Sequence, residues 1–132
     1  VIRWCLGVAE IHEAAAGRGL PVQTGQMEMV DGPPRVFRTA GMPSYPLPFF
    51  ISFDMDDEER MRLRERRFRE AEHDCAPGGY AFVEVGDTPE LLTAWIGEHD
   101  LPVRHLPDTP TGIHAARIET DRGEVALREV RP

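Results

Sequence analysis

Leu20-Pro21-Val22 and Leu101-Pro102-Val103 are the same tripeptide, and each follows a helical segment and opens onto a strand. That recurrence decides how the rest of the chain is read. Residues 1–53 and 79–132 each become a strand, a helix and two or three more strands, with a charged helical linker over 54–78. A repeat of this length predicts two copies of one supersecondary unit packed together in one domain. The expected fold class is therefore α+β, two βαβββ modules forming a curled mixed sheet, with a ligand cleft lined from both halves.

Working outward, Ile2 to Val8 alternates, with Ile2, Trp4, Leu6 and Val8 on one face and Arg3, Cys5 and Gly7 on the other. Glu10 to Arg18 is rich in Ala and Glu and predicts a helix with Ile11, Ala14 and Ala15 as its buried stripe. Gly17 and Gly19 bracket its end. Strands are predicted over Val22–Val30, Arg35–Thr39 and Leu47–Phe53, with the turn Asp31-Gly32-Pro33-Pro34 between the first two.

The second half follows the same order. Tyr80 to Val85 predicts a strand with Tyr80, Phe82 and Glu84 on one face. Asp87-Thr88-Pro89-Glu90 opens a helix, with a capping residue and then Pro in the first turn. Short strands follow over Val103–Leu106, Ile113–Thr120 and Glu124–Val130.

Composition narrows the function. A net charge of −8, from 15 basic and 23 acidic residues, lacks the basic face that a nucleic-acid partner needs. No apolar run approaches the ~18 residues of a membrane span and no signal peptide is visible, so a cytoplasmic protein with no membrane partner is expected. Cys5 and Cys75 are far apart and form no Cys-x-x-Cys pair, which reads as free buried thiols in preference to a disulfide. The chain opens at Val1 within a predicted strand, so it is expected to be a trimmed chain or the ordered part of a longer one. The linker runs from Asp56-Asp57-Glu58-Glu59 to a series of arginines, a polarity that suits the helix dipole. It reads as a solvated helix laced with ion pairs, or as an arginine patch for an anion.

Four stretches carry a resemblance: Trp4-Cys5-Leu6-Gly7 before an Ala-rich helix, Leu47-Pro48-Phe49-Phe50-Ile51 with a trailing acid, His73 before a Pro-Gly segment, and Gly123-Glu124-Val125-Ala126-Leu127. In these the chain resembles the glyoxalase-like domain proteins of the vicinal-oxygen-chelate superfamily, which includes glyoxalases, ring-cleaving dioxygenases and bleomycin-resistance proteins. The resemblance covers most of the chain apart from residues 54–72. It implies a small-molecule ligand in a sheet-lined cleft and a homodimer. Members of that group usually carry an upstream module with a Gly-Gly-Arg-His-Pro-like stretch, and this sequence has none.

The family's metal positions, counted from the helix openings and the last turn, fall on Arg3, Tyr80 and Leu127. Arg stays protonated, Leu has no donor and Tyr alone is a poor ligand, so no metal and no other cofactor is expected. His12, His73, His99, His105 and His114 show no ligand spacing. No phosphate loop, nucleophile elbow or dinucleotide fingerprint is present.

Side-chain alternation nominates the cleft residues. They are Arg3, Cys5 and Gly7 from the first strand, Tyr80, Phe82 and Glu84 from the matching strand, and Val125, Leu127 and Glu129 from the last, joined by Arg38 and Arg117. Glu84 is a carboxylate within an apolar strand, costly to bury unless paired. It is the candidate general base, and its plainer role is a structural ion pair. Arg3, Arg38, Tyr80, Phe82, Arg117 and Glu129 are the candidate ligand-binding residues. The expected function is a glyoxalase-like protein that binds a small organic molecule, with metal-independent lyase or isomerase chemistry. The alternatives are a non-catalytic protein that sequesters a toxic compound, and a fragment domain that pairs with a missing upstream module.

Overall fold

The computed structural model describes residues 4–29, 32–42, 47–72, 74–86 and 89–128. The chain divides into two units, the first over residues 4–72 and the second over residues 74–128. It is α+β with two four-stranded mixed sheets, one in each unit.

The first unit contains β1 (Cys5–Gly7), α1 (Ile11–Ala16), β2 (Val22–Met27), β3 (Arg35–Ala40), β4 (Phe49–Phe53) and α2 (Asp57–Glu70). Its sheet runs β1-β4-β3-β2, with β1 parallel to β4 and the other pairs antiparallel. Residues directly opposite in neighbouring strands share a face. The register therefore puts Leu6, Phe50, Ala40 and Val22 on one side, and Cys5, Phe49, Ile51 and Thr39 on the other. α1 packs on β2, β3 and β4 and buries Ile11 and Ala15 against the Phe50 side. Its chain reverses at Gly19, whose φ of +62° suits a residue with no side chain. The Arg18 guanidinium sits 4.8 Å from the Phe50 ring centre. On the other side Phe37 and Phe53 meet with ring centres 6.3 Å apart.

α2 starts at Asp56, whose carboxylate accepts a 2.7 Å hydrogen bond from the Glu59 amide. Arg60 pairs with Asp57 and Arg62 with Glu58, so the helix is stitched along its own surface. None of its residues is fully buried. Its half-buried side, Glu59, Leu63 and Arg66, has helical spacing.

The second unit contains β5 (Pro77–Val85), α3 (Pro89–Ile96), β6 (Val103–His105), β7 (Ile113–Thr120) and β8 (Gly123–Arg128). Its sheet runs β6-β5-β7-β8, with β5 parallel to β6 and the other pairs antiparallel. The two halves repeat the order of elements, but they pair their strands differently. In the first, β2 and β3 match residue for residue over six positions and form a hairpin, so the strand after the helix lies at the edge. In the second, β6 has only three residues and runs into an irregular segment before β7, so it is an edge strand too but pairs in parallel with β5, the strand before the helix. β5 begins at Pro77, three residues earlier than Tyr80, where the alternation placed its start.

Close packing of backbone fixes the end of β5. Gly86 and Gly112 exchange hydrogen bonds of 2.8 and 3.2 Å. The His114 Nε2 donates to the Pro110 carbonyl at 2.8 Å. At the other end Asp121 accepts from the Ala76 amide at 2.9 Å and donates its own amide back to Ala76 at 3.1 Å. Val85, Leu92 and Ala115 are the buried apolar residues of this unit.

Candidate functional site

Two of the charged residues that alternation nominated, Glu84 and Arg117, meet on one side of the second sheet. Phe82 lies opposite Arg117, and Glu84 lies opposite Ala115 on β7 and Arg104 on β6. Arg117 in turn lies opposite Ala126 on β8. This face therefore carries Phe82, Glu84, Arg104, Ala115, Arg117 and Ala126.

Glu84 is 9% exposed. Its Oε1 accepts from Arg117 Nη2 at 3.1 Å and Nε at 3.3 Å. Arg117 Nη1 donates to Glu124 Oε1 at 3.2 Å. One guanidinium thus bridges two carboxylates. This arrangement answers the cost of a buried charge, because Glu84 is both paired and hydrogen-bonded. It also eases the juxtaposition of Glu119 and Glu124, which are directly opposite in the ladder.

Arg104 lies over the Phe82 ring with its guanidinium carbon 3.7 Å from the ring centre, and Arg117 stands 6.0 Å from it. The ring's negative face attracts the Arg104 guanidinium and restrains it there. Phe82 is then a platform for an arginine, and that side of its ring is taken. Arg104 is exposed and forms no ion pair among the described residues. It is a pre-oriented guanidinium, with donors suited to a planar carboxylate.

Other expected residues fall elsewhere. Arg38 lies opposite Thr24 and Ser52, on the Phe50 side of the first sheet that α1 covers, and not with Cys5 and Gly7. Tyr80 does not continue the Phe82–Glu84 face: a register shift between Tyr80 and Phe82 sets Tyr80 opposite Ile118, and it is 69% exposed. A bulge of this kind breaks the period of two on which the assignment rested. Val125 and Leu127 lie opposite Ile118 and Ala116, on the reverse face from Arg117. Arg3 and Glu129 are outside the described residues, as are Tyr45 and His73.

Arg104 and Glu124 were not foreseen. Alternation in Val103-Arg104-His105 separates Arg104 from its neighbours, but only the β5–β6 register shows that it stands beside Glu84. Glu124 enters because the short turn at Asp121-Arg122 sets Thr120 opposite Gly123, and every later β8 position follows from that.

Cys5 and Cys75 are free thiols but not buried ones: Cys5 is an exposed residue, on a three-residue strand, and Cys75 is half-buried. Partial burial raises the Cys5 thiol above its ordinary value, which leaves less thiolate for nucleophilic work. His99 Nδ1 accepts from the Leu101 amide at 3.3 Å, and His114 is held by Pro110. Among the described residues no three His, Cys, Asp or Glu side chains come together as a metal-ligand set.

Comparisons of this chain with protein-family models, with curated proteins and with solved structures find no match.

Proposed function

We propose that this protein binds a small carboxylate-bearing organic molecule on the Phe82–Glu84 face of its second sheet, as a glyoxalase-like binding protein. The observation that supports this is the state of Arg104: exposed, without an ion-pair partner among the described residues, and restrained over the Phe82 ring at 3.7 Å. Such a group loses little freedom when it grips an anion, so its hydrogen bonds count more fully towards affinity.

Glu84 belongs to the frame of this reading. Its Oε1 is engaged by Arg117, which a free general base would not be. The pair fixes Arg117, and Glu124 braces that guanidinium from the other side. The resemblance to the superfamily supports a small organic ligand on a sheet-lined site, and the choice of a carboxylate rests on Arg104. Lyase or isomerase activity is the second reading and rests on Glu84 alone.

Thermal unfolding with added pyruvate or 2-oxoglutarate, set against a cationic antibiotic, tests the proposal. The oxo acids should raise the melting temperature and the cation should not. A rise with the cation alone would replace this reading with sequestration of a positively charged drug. Slow conversion of a bound oxo acid that Glu84→Gln abolishes would restore the catalytic reading.

A further inference from the structure

A second feature lies in the first unit and depends on none of the residues above. α2 rests over the β2–β3 hairpin on the side that carries Arg35, and between them is a cavity of about 370 Å³. That volume lies within the range of small-molecule sites. Arg35, Arg62, Arg66 and Arg69 line it, against the two carboxylates Glu59 and Glu65. Met29 and Leu63 supply apolar wall.

The cavity holds more donors than acceptors. Arg35 pairs with Glu59 through Nη2, yet its Nε is buried with no hydrogen-bond partner. The Arg66 Nε is also buried without a partner, since Glu70 stands 3.9 Å away, beyond hydrogen-bond reach. Arg69 makes no ion pair among the described residues. Buried donors without acceptors cost about 1–3 kcal/mol each, and these two belong to arginines that line the cavity, one from β3 and one from α2. A helix stabilised only by its own surface pairs, as Arg62 with Glu58 is, has no need of this excess.

We propose that the groove between α2 and the β2–β3 hairpin binds a small organic anion, either a carboxylate or a phosphate monoester. Arg62 and Arg66 pair with Glu58 and Glu70 from outside the lining, and Arg69, which makes no ion pair among the described residues, is the guanidinium left for the anion. Arginine forks match carboxylate and phosphate oxygens geometrically. Met29 and Leu63 favour a ligand with an apolar body over a bare inorganic ion.

Succinate and phenyl phosphate are titrated into the whole chain, with binding read by calorimetry and by backbone amide shifts. Saturable binding of either probe is expected, with the largest shifts at residues 59–69 and around Arg35. The tighter probe identifies the head group. The double variant Arg66→Gln/Arg69→Gln should weaken binding by about tenfold or more. Arg67→Gln, an exposed arginine of the same helix that does not line the cavity, should leave it unchanged. The wild-type shift map needs no variant and stands even where a substitution disturbs α2. No saturable binding of either probe would overturn the proposal, as would shifts confined to residues 74–128. Equal losses in the double variant and in Arg67→Gln would reduce the effect to general screening and overturn it too.

Discussion

Arg104 lies over Phe82, one strand away, with its guanidinium carbon 3.7 Å from the ring centre. The contact restrains the guanidinium above the ring face. Phe82→Leu keeps an apolar side chain at that position but removes the quadrupole. A cation over an aromatic face is worth about 0.5–2 kcal/mol. Carboxylate affinity measured by calorimetry should then fall roughly threefold to thirtyfold while the fold persists. Unchanged affinity in Phe82→Leu would mean that the stacking does not orient Arg104.

The Glu84–Arg117 pair should behave as a buried ion pair. Arg117→Met alone strands the Glu84 carboxylate and should cost about 3–5 kcal/mol in urea unfolding. The double variant Glu84→Leu/Arg117→Met removes both charges and should recover most of that loss. Single and double variants with equal stability would show that the two residues do not meet in solution.

Gly86→Ala tests the backbone approach at the end of β5. An added Cβ would overlap the Pro110 carbonyl oxygen and stand 2.7 Å from His114 Nε2. Backbone cannot yield there without breaking the Gly86–Gly112 exchange. A loss of about 1–3 kcal/mol or more is expected on thermal or urea unfolding. Gly17→Ala is the comparison, since its Cβ would meet nothing closer than 3.8 Å, and it should be tolerated. Equal tolerance of both substitutions would contradict the close approach.

Cys5 supplies a pH test. Desolvation raises its thiol pKa in the folded state, so the unfolded chain loses that proton first as pH rises. The unfolded state then binds fewer protons, and this contribution to stability falls as pH climbs through the ordinary thiol range. Alkylation of Cys5 by iodoacetamide at about pH 8 should be slower in the folded protein than in urea. Equal rates would mean that the thiol is not shielded.

Periodicity was most legible where neighbours enforce it. Ile113–Thr120 alternates between two partner strands, and β7 occupies those same residues. The helix signals of Ala14-Ala15-Ala16 and of Leu91-Leu92 also located α1 and α3. Pairing was not legible, because nothing in Leu20-Pro21-Val22 or Leu101-Pro102-Val103 says whether the following edge strand pairs with the strand after it, as β2 does, or with the one before the helix, as β6 does. That depends on how long the strand is and on what can form a hairpin with it. The candidate site suffered from the same gap. Glu84 and Arg117 were found by parity within regular ladder, whereas Tyr80 was misplaced by one bulge and Val125 and Leu127 by the register of one turn.

A calorimetric titration of 2-oxoglutarate into the wild type and into Arg104→Gln tests the central claim most directly. Saturable binding by the wild type, weakened about tenfold or more in the variant, is the result this account requires. Equal binding by the two proteins, or none by the wild type, would contradict it.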